Sequence, residues 1–466
     1  MSSSTYLFDN GFVRLDVTPS KVLISSLAIS ITFLLYLIFV PPRKLYANDN
    51  GVKVIRNRFP GLGGAGQKGI NEEGEMDATE KREMKDLAKA ITPKRLNNMA
   101  PRLAADAYEA IESYFQDSKT TSIDLQQTYY PLVFRFTVRI MGMAEYASSP
   151  KELTKLINAF WLTQKNSGFW TTILPWLPQP RLLKRLYGAI TLWTMVRSTL
   201  NKRIQSGHRE EDFAQDMIDQ GHPAGTISRF VIGGLIAGIL NTIGTGAYSV
   251  AFVGADATLQ NQCRQAVEKG LRKACEQQGE DYETLTPLQR LQKVRLEDWE
   301  QFEEFEILHL VFKESIRLML TNSINRYYPG PTRNKDGSLR ERLIIEGHEI
   351  EDDVYICFSP SSNLHDATEY PNPFSFDPMR YKRGEGQTDY TFVAWGAGYH
   401  KCTGQRFAKL ETIIALASFL LFTDQLKTTD DKGNPYSLAN VPLPDLSQAH
   451  WRSPTKPMRI QLLRKD

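Results

Sequence analysis

The sequence contains few cysteines for its length, with four among 466 residues. These are Cys263, Cys275, Cys357 and Cys402. None belongs to a Cys-x-x-Cys pair or to a Cys/His cluster, which argues against a zinc site. Four scattered cysteines in a chain of this size also do not form a disulfide framework. Since most such residues are small apolar core side chains, a chemical role for any of them must rest on its surroundings.

The sequence also lacks an excess of charge of one sign. It has 56 Lys and Arg against 53 Asp and Glu, for a formal net charge of +3. Proteins that bind nucleic acids usually carry a basic stripe, so we expect no nucleic-acid partner. The 23 Phe, 19 Tyr and 7 Trp are sufficient for a large apolar interior. There are no internal repeats, and the length allows either two to four domains or one large α-rich domain.

Charge is absent altogether from one apolar run near the N-terminus. Residues 22–40, VLISSLAISITFLLYLIFV, contain only four Ser or Thr hydroxyls among 19 residues. At 1.5 Å of rise per residue, this length just spans a bilayer core of about 30 Å. A cleaved signal peptide is the alternative, but the run is too long for its apolar region and no small-x-small cleavage site follows. The run therefore predicts a transmembrane anchor.

The segment after this run predicts how the chain is oriented. Pro41 and Pro42 break a helix, and the cations Arg43 and Lys44 favour the cytoplasmic side. We expect a single-pass protein of the endoplasmic reticulum whose bulk is cytosolic. The predicted units are a lumenal segment (1–21), an anchor (22–40), a proline- and glycine-rich linker (41–79) and a catalytic domain (80–466).

Periodicity predicts a mainly α-helical catalytic domain with small β-sheets. Helical spacing of apolar residues begins near Glu80 and continues to about Asp216. A second apolar stretch, residues 226–262, contains no proline and predicts one long buried helix. Short strand-like pieces follow Glu314, and another helix is expected over about residues 405–422.

One segment, FVAWGAGYHKCTG, places Cys402 directly before that last helix. Gly396 and Gly398 permit a tight turn that residues with a Cβ resist. At a helix N-terminus, the dipole and the unpaired N–H groups favour a thiolate. The segment resembles the heme loop of the cytochrome P450 family, F-x-x-G-x-x-x-C-x-G, whose positions here are Phe392, Trp395, Gly396, Gly398, His400, Cys402 and Gly404. By this resemblance Cys402 is the axial ligand of the iron of heme b, and His400 contacts a heme propionate.

Two further motifs resemble the same family in the same order. Glu314 and Arg317 form an E-x-x-R pair on one helix face, and Arg380 ends an F-x-P-x-R segment. In cytochromes P450 the corresponding charges form one buried network that fixes the loop leading to the cysteine. The resemblance implies a structural rather than a catalytic role for these three residues.

The predicted helix over residues 226–262 resembles the helix that crosses the distal face of the heme. There Gly238 would open the helix for oxygen, with Asn241 and Thr242 as further catalytic candidates. Asn241 stands where the family usually has a residue with a hydroxyl. An Asn at this position resembles the subgroup of steroid 7α- and 12α-hydroxylases and prostacyclin synthase. Leu240 replaces the usual acid. Thr242 lies about 100° further round the helix. The alternative is that Gly238 and Asn241 only ease helix packing.

The resemblance implies a heme-thiolate monooxygenase that inserts one oxygen atom from O2 into an apolar small molecule. NADPH–cytochrome P450 reductase would be its partner, and a terpenoid, steroid or polyketide of secondary metabolism its substrate. Two alternatives stay open. Asn241 also suits a P450-type isomerase or dehydratase that needs neither O2 nor reductase. The 40 residues from 41 to 80 are short for the family, so the domain is either rearranged, incomplete at its N-terminal part, or inactive.

Overall fold

The computed structural model describes residues 46–47, 53–56, 78–115, 118–166, 179–320, 324–331, 337–352, 354–398, 401–445 and 454–465. The predicted lumenal segment and anchor lie outside these residues, as does His400. The α-helices described are α1 (Ala78–Ala90), α2 (Pro93–Phe115), α3 (Leu125–Met141), α4 (Ala144–Ala147), α5 (Pro150–Lys165), α6 (Pro180–Ser206), α7 (Phe213–Asp219), α8 (Ala224–Gly254), α9 (Ala257–Gln277), α10 (Pro287–Gln292), α11 (Leu296–Gln301), α12 (Glu306–Met319), α13 (Pro360–Leu364) and α14 (Gln405–Phe422).

Strands form three small antiparallel sheets beside these helices. They are β1 (Tyr46–Ala47), β2 (Lys53–Arg56), β3 (Thr120–Asp124), β4 (Ile324–Tyr328), β5 (Ile344–Ile345), β6 (His348–Glu349), β7 (Val354–Phe358), β8 (Thr423–Thr429) and β9 (Arg459–Arg464). The sheet orders are β1-β2-β7-β4, β3-β9-β8 and β5-β6. The expectation of a mainly α fold with small sheets is confirmed.

Helix α8 runs through the middle of the core. Pro223 precedes it, and no proline interrupts its 31 residues. It packs against α3, α12 and α14. Among the described residues it is the one helix long and apolar enough to cross a membrane, and over half of its most apolar window is buried in the protein. A buried core helix meets the same criteria as a membrane span, and its position in the bundle identifies α8 as the former.

The predicted helix over residues 226–262 is in fact two helices. The chain leaves α8 at Ala255, and the side chain of Asp256 accepts a hydrogen bond of 2.6 Å from the backbone N–H of Leu259. This contact caps the first turn of α9. An aspartate within a mostly apolar stretch was the signal for the break.

The predicted proline- and glycine-rich linker (41–79) contains two strands, β1 and β2. Strand β1 pairs with β2, and β2 pairs with β7 in the register Lys53 to Cys357 and Arg56 to Val354. Part of the predicted linker therefore belongs to the same sheet as a strand of the catalytic domain. Helix α1 begins at Ala78, two residues before the expected start.

Close contact between α8 and α3 depends on Gly234, Gly238 and Gly246, which are spaced by four and eight residues. A Cβ at Gly234 would lie 2.8 Å from Sδ of Met141, and one at Gly246 would lie 2.3 Å from the hydroxyl of Tyr129. Residues four apart share one face of a helix, so these glycines form a groove along α8. We call the face of α8 that contacts α3 the packed face.

Candidate active site

The loop before α14 folds back on itself to place Cys402. Gly396 and Gly398 have φ of +73° and +67°, in the left-handed region that favours glycine. The backbone N–H of Cys402 donates a hydrogen bond of 2.7 Å to the carbonyl oxygen of Trp395. The two glycines therefore serve a turn that returns the chain to the start of α14.

The sulfur of Cys402 has surroundings unlike those of the other cysteines. Protein around Sγ desolvates it and raises the pKa of the thiol, whereas backbone N–H groups of Gly404 and Gln405 hydrogen-bond to Sγ and lower it. The side chain is nevertheless exposed. By contrast, Cys263 is buried, and burial raises the pKa of its thiol to about 12. Cys402 thus combines access from outside with donors that stabilise a thiolate.

Aromatic side chains support the loop from below. Phe392 and Trp395 are partly buried against the core. The ring of Trp395 meets that of Phe312 edge to face, with centroids 6.2 Å apart, and the ammonium of Lys313 lies 5.0 Å from the ring centroid of Phe392. Both Phe312 and Lys313 belong to α12, so this helix packs against the loop that leads to Cys402.

Helix α12 also carries Glu314 and Arg317, which are fully buried. The guanidinium of Arg317 donates Nε to Oε2 of Glu314 at 2.9 Å and Nη2 to Oε1 at 2.8 Å. Nε of Arg380, 1% exposed, donates to Oε1 of Glu314 at 3.0 Å. The structure therefore brings the three motif residues into one buried network, with the bidentate geometry that carboxylates prefer.

Two members of this network escaped the sequence analysis. The hydroxyl of Tyr381 donates to Oε2 of Glu314 at 2.9 Å, and Nη1 of Arg380 donates to Oε2 of Glu385 at 2.7 Å. Glu385 supplies the second negative charge, so two carboxylates balance two guanidiniums. Burial, with a further contribution from Glu314, raises the pKa of Tyr381, which keeps this hydroxyl a donor. Tyr381 follows the F-x-P-x-R motif directly and could have been found, whereas Glu385 belongs to no pattern.

The three distal candidates do not share one face of α8. Asn241 is exposed, whereas Thr242 is buried and its Oγ1 donates to the carbonyl oxygen of Gly238 at 2.9 Å. A Cβ at Gly238 would lie 2.9 Å from Cγ2 of Thr137 on α3. Gly238 and Thr242 therefore belong to the packed face, and Asn241 lies on the other side.

A stripe of accessible residues marks that other side of α8. Gly233, Ile236, Ala237 and Asn241 are exposed on a helix that is otherwise mostly buried or half-buried. They recur every three to four residues, which is the spacing of one helix face. We call these four residues the open face; Asn241 contributes its polar side chain, and the exposed Arg229 lies one turn before Gly233.

Comparison with known proteins decides the family. Residues 80–444 match the family described as Cytochrome P450. The chain belongs to the cytochrome P450 family. It is 26% identical over 360 residues to cytochrome P450 monooxygenase AacuE of Aspergillus aculeatus, which covers 76% of this chain and 68% of that protein. It is 27% identical over 371 residues to cytochrome P450 monooxygenase dmxR5 of Cryptosporiopsis sp., covering 78% and 68%.

A more distant relative of this P450 is the lanosterol 14-alpha demethylase of Bos taurus. It is 24% identical over 248 residues, which cover 51% of this chain and 44% of that protein. Membership of the family confirms the predicted superfamily and an oxidoreductase activity. The two monooxygenases above come from fungi.

Cytochromes P450 bind heme through a cysteine thiolate, and the cofactor prediction is confirmed at this level. The residues around Cys402 fit such a group, because Sγ is accessible and accepts backbone N–H donors from the first turn of α14. Such donors would withdraw electron density from a thiolate at Sγ and so tune the iron of a bound heme.

Proposed function

We propose that this P450 is a membrane-anchored monooxygenase of secondary metabolism that acts on an apolar small molecule such as a terpenoid, steroid or polyketide. The observation that carries the proposal is the open face of α8, an apolar surface with one amide, Asn241. Apolar pockets with few polar groups are typical of small-molecule sites. The relatives from Aspergillus aculeatus and Cryptosporiopsis sp. are named as monooxygenases, which supports the same reaction.

The reaction would consume O2, two electrons and two protons, and would yield hydroxylated substrate and water. Cys402 would hold heme, which would supply the activation of O2. The chain's own residues bind the substrate against the open face, keep bulk water out and hold the thiolate charge at Sγ. The amide of Asn241 would orient a water molecule by hydrogen bonding, since amide groups donate and accept but do not ionise.

Electrons would come from NADPH–cytochrome P450 reductase on the cytosolic side of the endoplasmic reticulum. The proposed anchor is the 19-residue run at 22–40. Membrane fractionation of the full chain and of a chain lacking residues 1–40 tests this topology. We expect carbonate-resistant membrane association of the full chain only. Equal association of both chains would contradict an anchor at 22–40.

The purified protein with reductase, NADPH and 18O2 tests the reaction against a panel of the three substrate classes. We expect one 18O atom in the product and NADPH consumption that requires substrate. A red-shifted Soret band of the reduced CO complex checks thiolate ligation beforehand, and its absence would favour the inactive alternative.

A second function is supported by Asn241 and Leu240, which stand where the family usually has an alcohol and an acid. A heme-thiolate isomerase or dehydratase that acts on a peroxide needs no proton relay of that kind. Turnover of an organic hydroperoxide without NADPH, reductase or O2 would favour this function. Strict dependence on all three would exclude it.

A further inference from the structure

Glu411 is a carboxyl group that neither the heme loop nor the buried arginine network uses. It lies on α14 and is 1% exposed. Neither of its carboxyl oxygens has a hydrogen-bond partner in good geometry among the described residues, and no cation there pairs with it. An ionised carboxylate buried without a partner costs several kcal/mol, so the group must either find a donor or carry a proton.

The polar side chain that faces Glu411 is Thr242 on the packed face of α8. Oγ1 of Thr242 already donates to the carbonyl oxygen of Gly238 at 2.9 Å. A hydroxyl has one proton to donate and can still accept. Towards Glu411, Thr242 is therefore an acceptor, and an acceptor suits a carboxylic acid and not a carboxylate.

Electrostatics support the same protonation state. Burial has the largest effect on Glu411 and raises its pKa well above the usual value. The hydroxyls of Tyr129 and Thr412 are buried nearby without partners in good geometry. Burial raises the pKa of Tyr129. These neutral groups provide no charge that would stabilise a carboxylate.

The position of Thr242 links this cluster to the open face of α8. It continues the four-residue spacing of Gly234, Gly238 and Gly246, and it is the member of that series with a side chain. Asn241 is its neighbour in the chain and lies on the open face, about 100° around the axis. A contact that fixes Thr242 therefore also fixes the direction in which Asn241 points.

We propose that Glu411 is a positioning residue that acts as a neutral acid: its carboxyl donates to Oγ1 of Thr242, which donates to the carbonyl oxygen of Gly238, and this chain of hydrogen bonds sets the rotation of α8 that presents Asn241. The proposal goes beyond the function above and is independent of the substrate.

Infrared spectra of the purified holoenzyme test the protonation state. We expect a C=O stretch of a protonated carboxyl at neutral pH that shifts in D2O and is absent in Glu411→Gln. Thr242→Val should move this band to higher frequency, because the acid loses its acceptor. If no band is lost in Glu411→Gln, or if Thr242→Val leaves the band unmoved, the proposal is overturned.

The stretch of CO bound to the reduced holoenzyme tests positioning, since it responds to polar groups near the ligand. Glu411→Gln keeps a donor towards Thr242, so we expect the wild-type frequency. Glu411→Leu should shift the band in the direction of Asn241→Ala. Ser418→Ala, which removes another buried hydroxyl of α14, should leave it unchanged. A wild-type band in Glu411→Leu would contradict a positioning role; if Glu411→Leu does not fold, Thr242→Val must show the same shift.

Discussion

Nε of Arg380 lies 3.0 Å from Oε1 of Glu314, although 66 residues separate them in the chain. This contact joins the segment before the heme loop to α12. Nη1 of Arg380 also donates to the carbonyl oxygen of Pro371 at 3.0 Å and to Oε2 of Glu385 at 2.7 Å. The single ammonium group of a lysine would not reproduce this set of hydrogen bonds.

We therefore expect Arg380→Ala to destabilise the fold strongly. The change leaves Glu314 with Arg317 as its remaining guanidinium partner and takes the buried partner from Oε2 of Glu385, and breaking a buried pair typically costs about 3–5 kcal/mol. The midpoint of urea unfolding measures the loss. Arg209→Ala is the control, since that side chain is 66% exposed and pairs with Asp219 outside the network, where solvent screens the ion pair. Equal losses would mean that the network adds nothing.

Cys402→Ser should abolish the red-shifted Soret band of the reduced CO complex, because serine supplies no thiolate. Cys357→Ser provides the matched control, as this cysteine is half-buried on β7. We expect the control to retain the band. Loss of the band in both variants would point to unfolding, and retention in both would exclude Cys402 as the ligand.

Asn241→Ala should lower the yield of product per NADPH by about tenfold, which corresponds to about 1.4 kcal/mol. The reason is loss of the one amide on the open face. Ser228→Ala removes a buried hydroxyl of α8 that bonds to the carbonyl oxygen of Ala224 at 2.7 Å, and its yield should not change. The ratio of product to NADPH is the measurement; equal yields from Asn241→Ala and wild type would refute a role in the reaction.

Gly238→Ala should destabilise the protein by about 1–3 kcal/mol, the usual cost of overpacking. The added methyl group would meet Cγ2 of Thr137 at 2.9 Å. Thr137→Ser removes that methyl and should recover stability in the double variant. Gly233→Ala is the control, because nothing lies within 4 Å of a Cβ there. Thermal unfolding measures these differences in stability. If Thr137→Ser does not recover stability, contact with Thr137 is not the cause of the loss in Gly238→Ala.

The stability of wild type relative to Glu411→Gln should fall as pH rises. Burial raises the pKa of Glu411 above its ordinary value of 4.5. Between the unfolded and folded pKa values, the folded state therefore holds a proton that the unfolded state has released. Stability is then lost at up to about 1.4 kcal/mol per pH unit until the folded pKa is reached. Tyr129, Thr242 and Thr412 face Glu411 from α3, α8 and α14; burial raises the pKa of Tyr129 and threonine does not ionise, so none of them adds a charge.

Thermal unfolding of both proteins from pH 5 to pH 8 measures this difference. The other titrating groups are shared, so their effects cancel in the comparison. Parallel curves for the two proteins would mean that Glu411 has the same charge in the folded and unfolded states.

The proximal side could be predicted because its information is local. Cys402, the two glycines and the start of α14 lie within about ten residues, and Glu314 and Arg317 lie within one helical turn. Turn and capping preferences act over such distances. The resemblance to a family then supplied Arg380, which no local rule connects to Glu314.

The distal side could not be predicted in the same way. Position 238 requires a glycine because Thr137, about 100 residues earlier in the chain, leaves no space for a Cβ. Periodicity alone does not show which face of α8 contacts α3. Glu411 stands in the apolar helix α14 as a lone acid, which was a visible signal, but its partner on α8 depends on tertiary packing. The break at Asp256 was missed because apolar composition outweighed a capping residue.

The pairing of β2 with β7 has a consequence for biosynthesis. Roughly 300 residues separate Arg56 from its partner Val354. Ribosomes add about 5–20 residues per second, so about 15–60 s pass between the synthesis of β2 and that of its partner β7. During that time the edge of β2 is open to the wrong partner. We therefore expect this sheet to close late in translation, and slow synthesis between the two strands to lengthen the period in which chaperones protect the nascent chain.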